Sequence, residues 1–138
     1  MSEYENTLLA RQWFEEVWNQ KNEATIDRMF SMHGEAYGFP NPDSVIVGPQ
    51  AFKEAHRTFC GAFPDLKVEI QDIVSEGNRV AIRWKVNMTH RGDHLGIPAS
   101  GRPATLHGSS FNIVENGQLI KGWNQMDFQR LLKEISPA

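Results

Sequence analysis

The change of periodicity at Pro64 is the feature that most constrains the fold of this chain. Before Pro64, apolar residues recur every three or four positions, as in amphipathic helices, and after it they alternate with polar residues, as in strands. Helices that precede strands in this way favour an α+β fold, with helices packed on one face of an antiparallel sheet. We therefore predict mainly helix over residues 1–64 and mainly antiparallel sheet over residues 66–127.

Three helices are predicted before Pro64. The first runs from about Glu3 to Gln20, the second lies near Glu23 to Met32, and the third begins at Gly48-Pro49, where proline suits a helix start. Residues 33–42 contain Gly and Pro and predict a loop or a short edge strand. One face of the third helix carries residues at i, i+4, i+7 and i+11, namely Phe52, His56, Phe59 and Phe63.

Two β-hairpins are predicted after Pro64, over residues 66–88 and 104–126. The second hairpin turns at Glu115-Asn116-Gly117, and Asn-Gly is the strongest short hairpin signal. Residues 91–102 are rich in Gly, Pro and Ser and form a long connection between the hairpins. Residues 128–135 predict a short terminal helix.

Composition indicates one compact domain over residues 1–138 that can contain both a core and an apolar cavity. Hydrophobic residues make up 40% of the chain, and eight Phe and four Trp are available to line such a cavity. The net charge of −3 provides no broad basic field, so we expect neither nucleic acid nor a membrane surface as a partner. The N-terminus lacks a secretory signal and no run has transmembrane length, so we expect a cytoplasmic protein.

The sequence carries few motifs for cofactor or metal chemistry. Cys60 is the single cysteine, which excludes an intrachain disulfide, and it is interpreted as a small core residue or a nucleophile. His90 and His94 are four residues apart in a glycine-containing turn, a poor arrangement for a metal site. The sequence contains no phosphate loop and no dinucleotide fingerprint. We therefore expect neither metal nor cofactor.

Asp127 stands at the junction between the last predicted strand and the terminal helix. At a strand end beside Trp123, its carboxylate can point into a cavity floored by the sheet. Apolar surroundings there would raise the pKa of Asp127 by disfavouring its charged form, and an Asp with a raised pKa is a usable general base or acid. Asp is also a preferred helix N-cap residue, and Asp127 directly precedes a helical pattern. Both interpretations remain open from the sequence.

Two histidines are candidates for the cavity wall. His56 shares a helix face with three phenylalanines, so it is a hydrogen-bonded core residue, a ligand-facing residue or, as a third alternative, a metal ligand. His90 shares the strand parity of Trp84 and Met88 and could close one wall of the cavity. Whether His107 points toward the cavity depends on the strand register. Arg83 and the alternate positions beside it predict a solvated or dimer-forming sheet surface, with an anion site as the alternative.

Several stretches together resemble the SnoaL-like polyketide cyclase family over nearly the whole chain. They are Gly48-Pro-Gln-Ala-Phe52, Ala62-Phe-Pro-Asp-Leu66, Val80-Ala-Ile-Arg-Trp84, Thr89-His-Arg-Gly92, Gly96-Ile-Pro-Ala-Ser-Gly-Arg102, and Trp123 to Asp127 followed by Leu131-Leu132. The resemblance implies the cone-shaped α+β barrel of the nuclear transport factor 2-like superfamily, with a sheet that is antiparallel and mixed at the edge. It also implies a homodimer formed through the open sheet face.

The same resemblance implies intramolecular aldol chemistry without metal or cofactor, with Asp127 at the position of the family's acid/base. The sequence departs from the family pattern at Lys121, where an acidic residue is common, and at His107, where relatives commonly carry a small residue. Because of both departures, the resemblance does not imply which substrate the protein takes.

The leading functional hypothesis is a cofactor-independent enzyme that acts on a hydrophobic carbonyl compound, with Asp127 as acid/base. His90, His107 and Asn124 are the candidate donors to the enolate oxygen. Apolar walls and further contacts are expected from Trp13, Phe30, Tyr37, His56, Phe59, Trp84, Met88 and Trp123. One alternative is a non-catalytic module that binds a small ligand or dimerises, and another is epoxide hydrolase-like or ketosteroid isomerase-like activity. An Asp127 that faces the cavity favours chemistry, and an Asp127 that caps the terminal helix favours the binding module.

Overall fold

A computed structural model describes residues 2–136 of the chain. Within these residues it contains four α-helices, one π-helical turn and six strands. The helical elements are α1 (Glu3–Trp13), the π-helix (Phe14–Asn19), α2 (Glu23–Met29), α3 (Gly48–Ala62) and α4 (Phe128–Ile135). The strands are β1 (Phe30–Tyr37), β2 (Val45–Val47), β3 (Lys67–Glu76), β4 (Arg79–Thr89), β5 (Pro103–Glu115) and β6 (Gln118–Met126).

The six strands form one open sheet in the order β2-β1-β6-β5-β4-β3. Both predicted hairpins are present, because β3 pairs with β4 and β5 pairs with β6 in antiparallel register. Among the described strands, only β1 and β6 run parallel, so the sheet is antiparallel except near one edge. The predicted α+β class, with a mixed edge and helices on the sheet, is confirmed.

The first half of the chain contains more strand than the sequence predicts. Residues 33–42 were expected as a loop or a short edge strand, and α2 was expected to continue to Met32. Instead α2 ends at Met29, and β1 is the second strand of the sheet, covered at the edge by β2. The register of β1 on β6 shifts between Phe30 and Glu35, which breaks the alternation by which a strand is recognised.

Local signals explain where the N-terminal helices begin. Ser2 caps α1 by accepting a hydrogen bond from the backbone N–H of Glu5 at 3.1 Å. Asn22 caps α2 by accepting from the N–H of Ala24 at 3.1 Å. Gly48 opens α3 with a φ of +83°, followed by proline at the start of the helix. None of the helices in residues 2–136 is long and apolar enough to cross a membrane.

Alternation along the strands gives the sheet two different faces. We call the face under α1, the π-helix and α3 the inner face, and the opposite one the outer face. On β4, Val80, Ile82, Trp84, Val86 and Met88 are buried on the inner face. Arg83 and Asn87 are exposed on the outer face. The core therefore lies between the helices and the inner face.

Candidate functional site

A cavity of about 70 Å³ lies between the helices and the inner face. One buried water needs roughly 10–15 Å³, and a cavity of about 150 Å³ in another protein admits benzene. The cavity therefore has room for water as it stands. An aromatic ligand would require side chains of the wall to move.

Aromatic side chains form a large part of the cavity wall. They are Trp13, Phe14, Trp18, Phe30, Phe39, Phe52, Phe59 and Trp84. Their rings pack on one another, with centroids 5.3 Å apart for Trp13 and Phe52 and 5.4 Å apart for Trp18 and Phe39, both near edge-to-face. Such a wall suits a flat apolar molecule once its side chains move apart to enlarge the cavity.

The polar part of the wall is a strip on β5 and β6 that consists of Ser110, Asn112 and Asn124. The indole N–H of Trp84 donates to Ser110 Oγ at 3.0 Å, and this hydroxyl donates to Asn124 Oδ1 at 2.7 Å. Asn124 Nδ2 donates to the Tyr37 carbonyl at 3.0 Å. Ser110 and Asn124 are thus held in place by a chain of neutral hydrogen bonds.

Asn112 differs from its two neighbours in the strip. Its side chain is 9% exposed and lies on the cavity wall, and no residue within 2–136 makes a hydrogen bond to its amide. It stands opposite Gly122 on β6, where a Cβ atom would lie 2.6 Å from Asn112 Oδ1. The missing side chain at Gly122 therefore leaves room for the amide.

No acid, base, cysteine or tyrosine is among the described residues that line the cavity. The polar groups there are amides, a hydroxyl and indoles. General acid/base catalysis needs a group that gains or loses a proton near the working pH, which these groups do not. What they can do is donate and accept hydrogen bonds.

Asp127 does not point into the cavity, so that prediction is wrong. Its side chain is exposed and accepts a hydrogen bond from the backbone N–H of Arg130 at 3.1 Å, as the N-cap of α4. By the criterion stated above, this geometry favours the binding module. The cap also explains why α4 begins at Phe128, as the sequence predicts.

Asp127 shares an open groove on the outer face with His107. The groove is also lined by Gln71, Arg83, Ser109 and Gln125. His107 is exposed and has the strand parity of Ser109, opposite to the buried Leu106 and Ser110. Asp127, the candidate acid/base, and His107, a candidate donor to the enolate oxygen, therefore lie together, but outside the cavity.

His90 is fully buried beside the long connection 91–102. Its Nδ1 atom accepts a hydrogen bond from the backbone N–H of Ser100 at 3.1 Å, and its ring lies 5.7 Å from that of Phe63. Within residues 2–136 its Nε2 atom has no partner. His90 does not line the cavity, and no group of three His, Cys, Asp or Glu in the described chain is arranged to hold a metal ion.

His56 is buried behind the cavity wall, so the prediction that it lines the cavity is wrong. Its Nε2 atom donates to the Val17 carbonyl in the π-helix at 2.6 Å, and its ring packs 4.9 Å from that of Trp18. Burial lowers the pKa of His56, since it disfavours the charged imidazolium. Burial also raises the pKa of the neighbouring Cys60 thiol to about 11, so this thiol is a poor nucleophile.

The other predicted contact residues divide between the two faces. Trp13, Phe30, Phe59, Trp84 and Asn124 line the cavity. Met88 is buried but not on the cavity wall. Tyr37 and Trp123 stack on each other on the outer face, with ring centroids 6.0 Å apart. The prediction that Tyr37 and Trp123 belong to the cavity wall is therefore wrong. The functional roles of the residues that do line the cavity stay predictions.

Ser110 and Asn112 are site residues that the sequence-based predictions did not include. Both have the inward parity of Leu106 and Val114 on β5, and a polar residue at an inward strand position is a signal for a buried hydrogen-bonding site. The alternation along β5 contains that signal. It can be recognised only when the buried face of the hairpin is known.

Comparisons with known proteins agree on the fold. The family model for SnoaL-like polyketide cyclases matches residues 8–135. A proposed SnoaL-like polyketide cyclase from Jannaschia sp. CCS1 has a similar structure, with a TM-score of 0.88, 18% identity, and coverage of 99% of this chain and 94% of that chain. No curated protein matches this chain significantly.

Two Streptomyces structures are similar at a higher sequence identity. TsrD from Streptomyces laurentii has a TM-score of 0.82 and 25% identity, and the match covers 97% of this chain and 96% of that chain. AclR from Streptomyces galilaeus, a proposed hydroxylase, has a TM-score of 0.81 and 25% identity, with coverage of 95% and 80%. The hydroxylase description applies to that protein.

Proposed function

Because this chain belongs to the SnoaL-like polyketide cyclase family, we propose that it binds a small hydrophobic carbonyl compound in its inner cavity. The observation that carries this proposal is the aromatic wall interrupted by one strip of neutral hydrogen-bonding groups. Ligand pockets typically combine such apolar walls with a few placed polar groups. The protein holds the compound by burial and hydrogen bonding, without an acid or base beside it.

The binding proposal is tested with acetophenone, a benzene ring that carries one carbonyl. Calorimetric titration should detect saturable binding by the unsubstituted protein. Ala36 lies on the cavity wall, so Ala36→Leu fills space that the ligand needs and should abolish binding. Ala81 lies on the outer face, and Ala81→Leu is the matched control that should bind normally. Absence of binding by the unsubstituted protein, or undiminished binding by Ala36→Leu, contradicts the proposal.

A second candidate function is acid/base turnover of a carbonyl compound in the outer groove. The observation that favours it is the common groove of His107 and Asp127, the residue at the position of the family's acid/base. One group would take a proton from the carbon beside a carbonyl, the enolate carbon would attack a second carbonyl of the same molecule, and the alkoxide formed there would take the proton back from that group. A positioned base contributes about 10²–10⁴-fold to such a step.

2,6-Heptanedione tests this second candidate, because its aldol closure and loss of one water give a cyclic enone that absorbs in the ultraviolet. The unsubstituted protein should accelerate enone formation, and Asp127→Asn should remove most of the acceleration. The Asn side chain keeps a capping oxygen, so the fold is retained. An equal rate for the two proteins, or no acceleration at all, excludes acid/base turnover of this diketone in the groove.

For the outer face we propose a second copy of the chain as the partner. Val74, Phe111 and Trp123 are 67%, 41% and 37% exposed, although large apolar side chains usually avoid water. The Lys121 ammonium lies 5.3 Å from the Trp123 ring and keeps the patch partly polar. A two-fold axis through the patch would bury it against itself.

Sedimentation equilibrium tests the homodimer. Phe111→Glu places a charge in the patch and should shift the protein to monomer, because like charges would face each other across the axis. Lys85→Glu on the same face, outside the patch, is the control that should stay dimeric. A monomeric unsubstituted protein at micromolar concentration contradicts the proposal.

A further inference from the structure

The three residues of the polar strip differ in how much of their hydrogen-bonding capacity the protein uses. Ser110 accepts from Trp84 and donates to Asn124, which in turn donates to the backbone of Tyr37. No side-chain or backbone group within residues 2–136 engages the Asn112 amide. The Asn112 amide is not among the described side-chain groups that are sealed from solvent without a partner, so it opens into the cavity, where it is available to a water or to a ligand.

The strand pairing keeps the Asn112 amide free and accessible from the cavity. Asn112 pairs with Gly122, and both residues line the cavity. A Cβ atom on Gly122 would come within 2.6 Å of Asn112 Oδ1 and would displace the amide. Glycine in the interior of a strand is unfavourable for the strand itself and often marks a close approach of another group.

The chemistry of the wall indicates what the Asn112 amide can recognise. Its Nδ2 atom can donate to a carbonyl oxygen and its Oδ1 atom can accept from a hydroxyl. The described cavity wall offers no cation to balance a carboxylate and no anion to balance an amine. Burial of an unpaired charge is far more costly than burial of a neutral polar group. The site therefore favours a ligand whose polar end is uncharged.

We infer that Asn112 is the specificity-determining residue of the cavity, and that it selects an uncharged aromatic carbonyl compound over its apolar and its anionic analogues. The inference rests on the proposed binding function. Asn112 recognises the carbonyl oxygen through its amide N–H, while Ser110 and Asn124 are tied to each other and maintain the strip. Gly122 is required because it leaves space for the amide.

Three ligands of similar size test the inference: acetophenone, ethylbenzene and benzoate. The unsubstituted protein should bind acetophenone more tightly than ethylbenzene and should bind benzoate least, as measured by calorimetry at pH 7. In Asn112→Leu the affinity for acetophenone should fall about three- to tenfold, the loss expected for one neutral hydrogen bond, while that for ethylbenzene is retained. Asn87→Leu makes the same change on the outer face and should leave all three affinities unchanged.

Gly122→Ala provides a second variant that keeps the amide but displaces it. It should weaken acetophenone binding more than ethylbenzene binding, which separates loss of the hydrogen bond from loss of space. Equal affinities of the unsubstituted protein for acetophenone and ethylbenzene would overturn the inference and leave the binding proposal intact. If neither compound binds, both fail. If Asn112→Leu does not fold, the ratio of the two affinities in Gly122→Ala decides.

Discussion

The inner and outer faces of the sheet are built from alternating residues of the same strands, yet they have opposite chemistry. On β6, Asn124 lies in the cavity with its amide held by neutral hydrogen bonds, while Trp123 and Gln125 beside it are exposed on the outer face. The described residues that can transfer protons are absent from the cavity wall, and two of them, His107 and Asp127, share the outer groove. Neighbouring positions in the sequence thus belong to two separate environments.

This difference teaches that an aromatic residue on a strand does not by itself identify the cavity face. Trp84 on β4 is 5% exposed and Trp123 on β6 is 37% exposed, although both strands alternate in the same way. A carboxylate next to a tryptophan is therefore a candidate for the cavity only if the tryptophan itself points inward. Trp123 does not, and Asp127 has the same parity.

The largest expected effect comes from truncating one tryptophan on each face. Trp84→Ala should lower the free energy of unfolding by about 3–5 kcal/mol, because it removes a buried ring and the donor to Ser110. Trp123→Ala should cost about 1 kcal/mol or less in the monomer, as for an exposed position. Urea denaturation at low protein concentration measures both. Similar losses for the two variants would contradict the assignment of the faces.

A carboxylate placed on each face gives the next largest effect. Asn124→Asp removes the donor to the Tyr37 carbonyl and places a charge on the half-buried cavity wall, so it should cost about 2 kcal/mol at pH 7. Burial disfavours the charged carboxylate, so its folded pKa should exceed its unfolded pKa, and the cost should shrink as the pH falls toward about 4. Gln125→Glu on the outer face should cost about 0.5 kcal/mol or less at any pH in this range. Unfolding free energies from pH 4 to pH 8 distinguish the two.

Substitution of Asp127 should have the modest effect of a helix cap. Asp127→Ala should destabilise the protein by about 1 kcal/mol through loss of the hydrogen bond to the Arg130 N–H, and Asp127→Asn should be nearly neutral. Acetophenone affinity should be the same in both variants and in the unsubstituted protein, since Asp127 lies outside the cavity. Tighter or weaker acetophenone binding by Asp127→Asn would indicate that Asp127 belongs to the cavity site.

The smallest expected effect is a change in the pH dependence of stability caused by His56. Because its folded pKa is lowered, the unfolded chain binds the proton more readily, and the free energy of unfolding should decrease as the pH falls below about 6.5. This decrease in the free energy of unfolding is complete once the pH is below the folded pKa of His56. His56→Gln should reduce this slope between pH 7.5 and pH 5 in denaturation curves. An unchanged slope would show that protonation of His56 does not oppose folding.

Most of the fold could be predicted from the sequence, because periodicity reports directly on burial. The face of α3, both hairpins and the start of α4 follow from spacing and turn residues. β1 could not be predicted in the same way, since its shifted register on β6 interrupts the alternation that a strand requires. Gly38 beyond its end has a φ of +76° and lies against the backbone of Asn124, a long-range contact that local patterns do not contain.

The site was only partly predictable for a related reason. Phe111 and Trp123 pair across β5 and β6 on the outer face and imitate the pattern of a buried hairpin face. Trp123 is therefore a misleading guide to the inward face, and the prediction for Asp127, which rested on its position beside Trp123, is wrong. His56 was correctly placed on the buried face of α3, but the sequence could not show that its ring would donate to Val17 across 39 positions of chain instead of reaching the cavity.

The four tryptophan side chains allow the most direct measurement of whether the inner cavity is the binding site. Trp13, Trp18 and Trp84 line the cavity, and Trp123 lies on the outer face. Their indole N–H resonances can be followed separately in ¹⁵N-labelled protein during a titration with acetophenone. Ligand in the cavity should shift the three inner resonances along one saturable curve and leave that of Trp123 unchanged. A shift of the Trp123 resonance with the inner three unchanged would place the ligand on the outer face and contradict a binding site in the cavity.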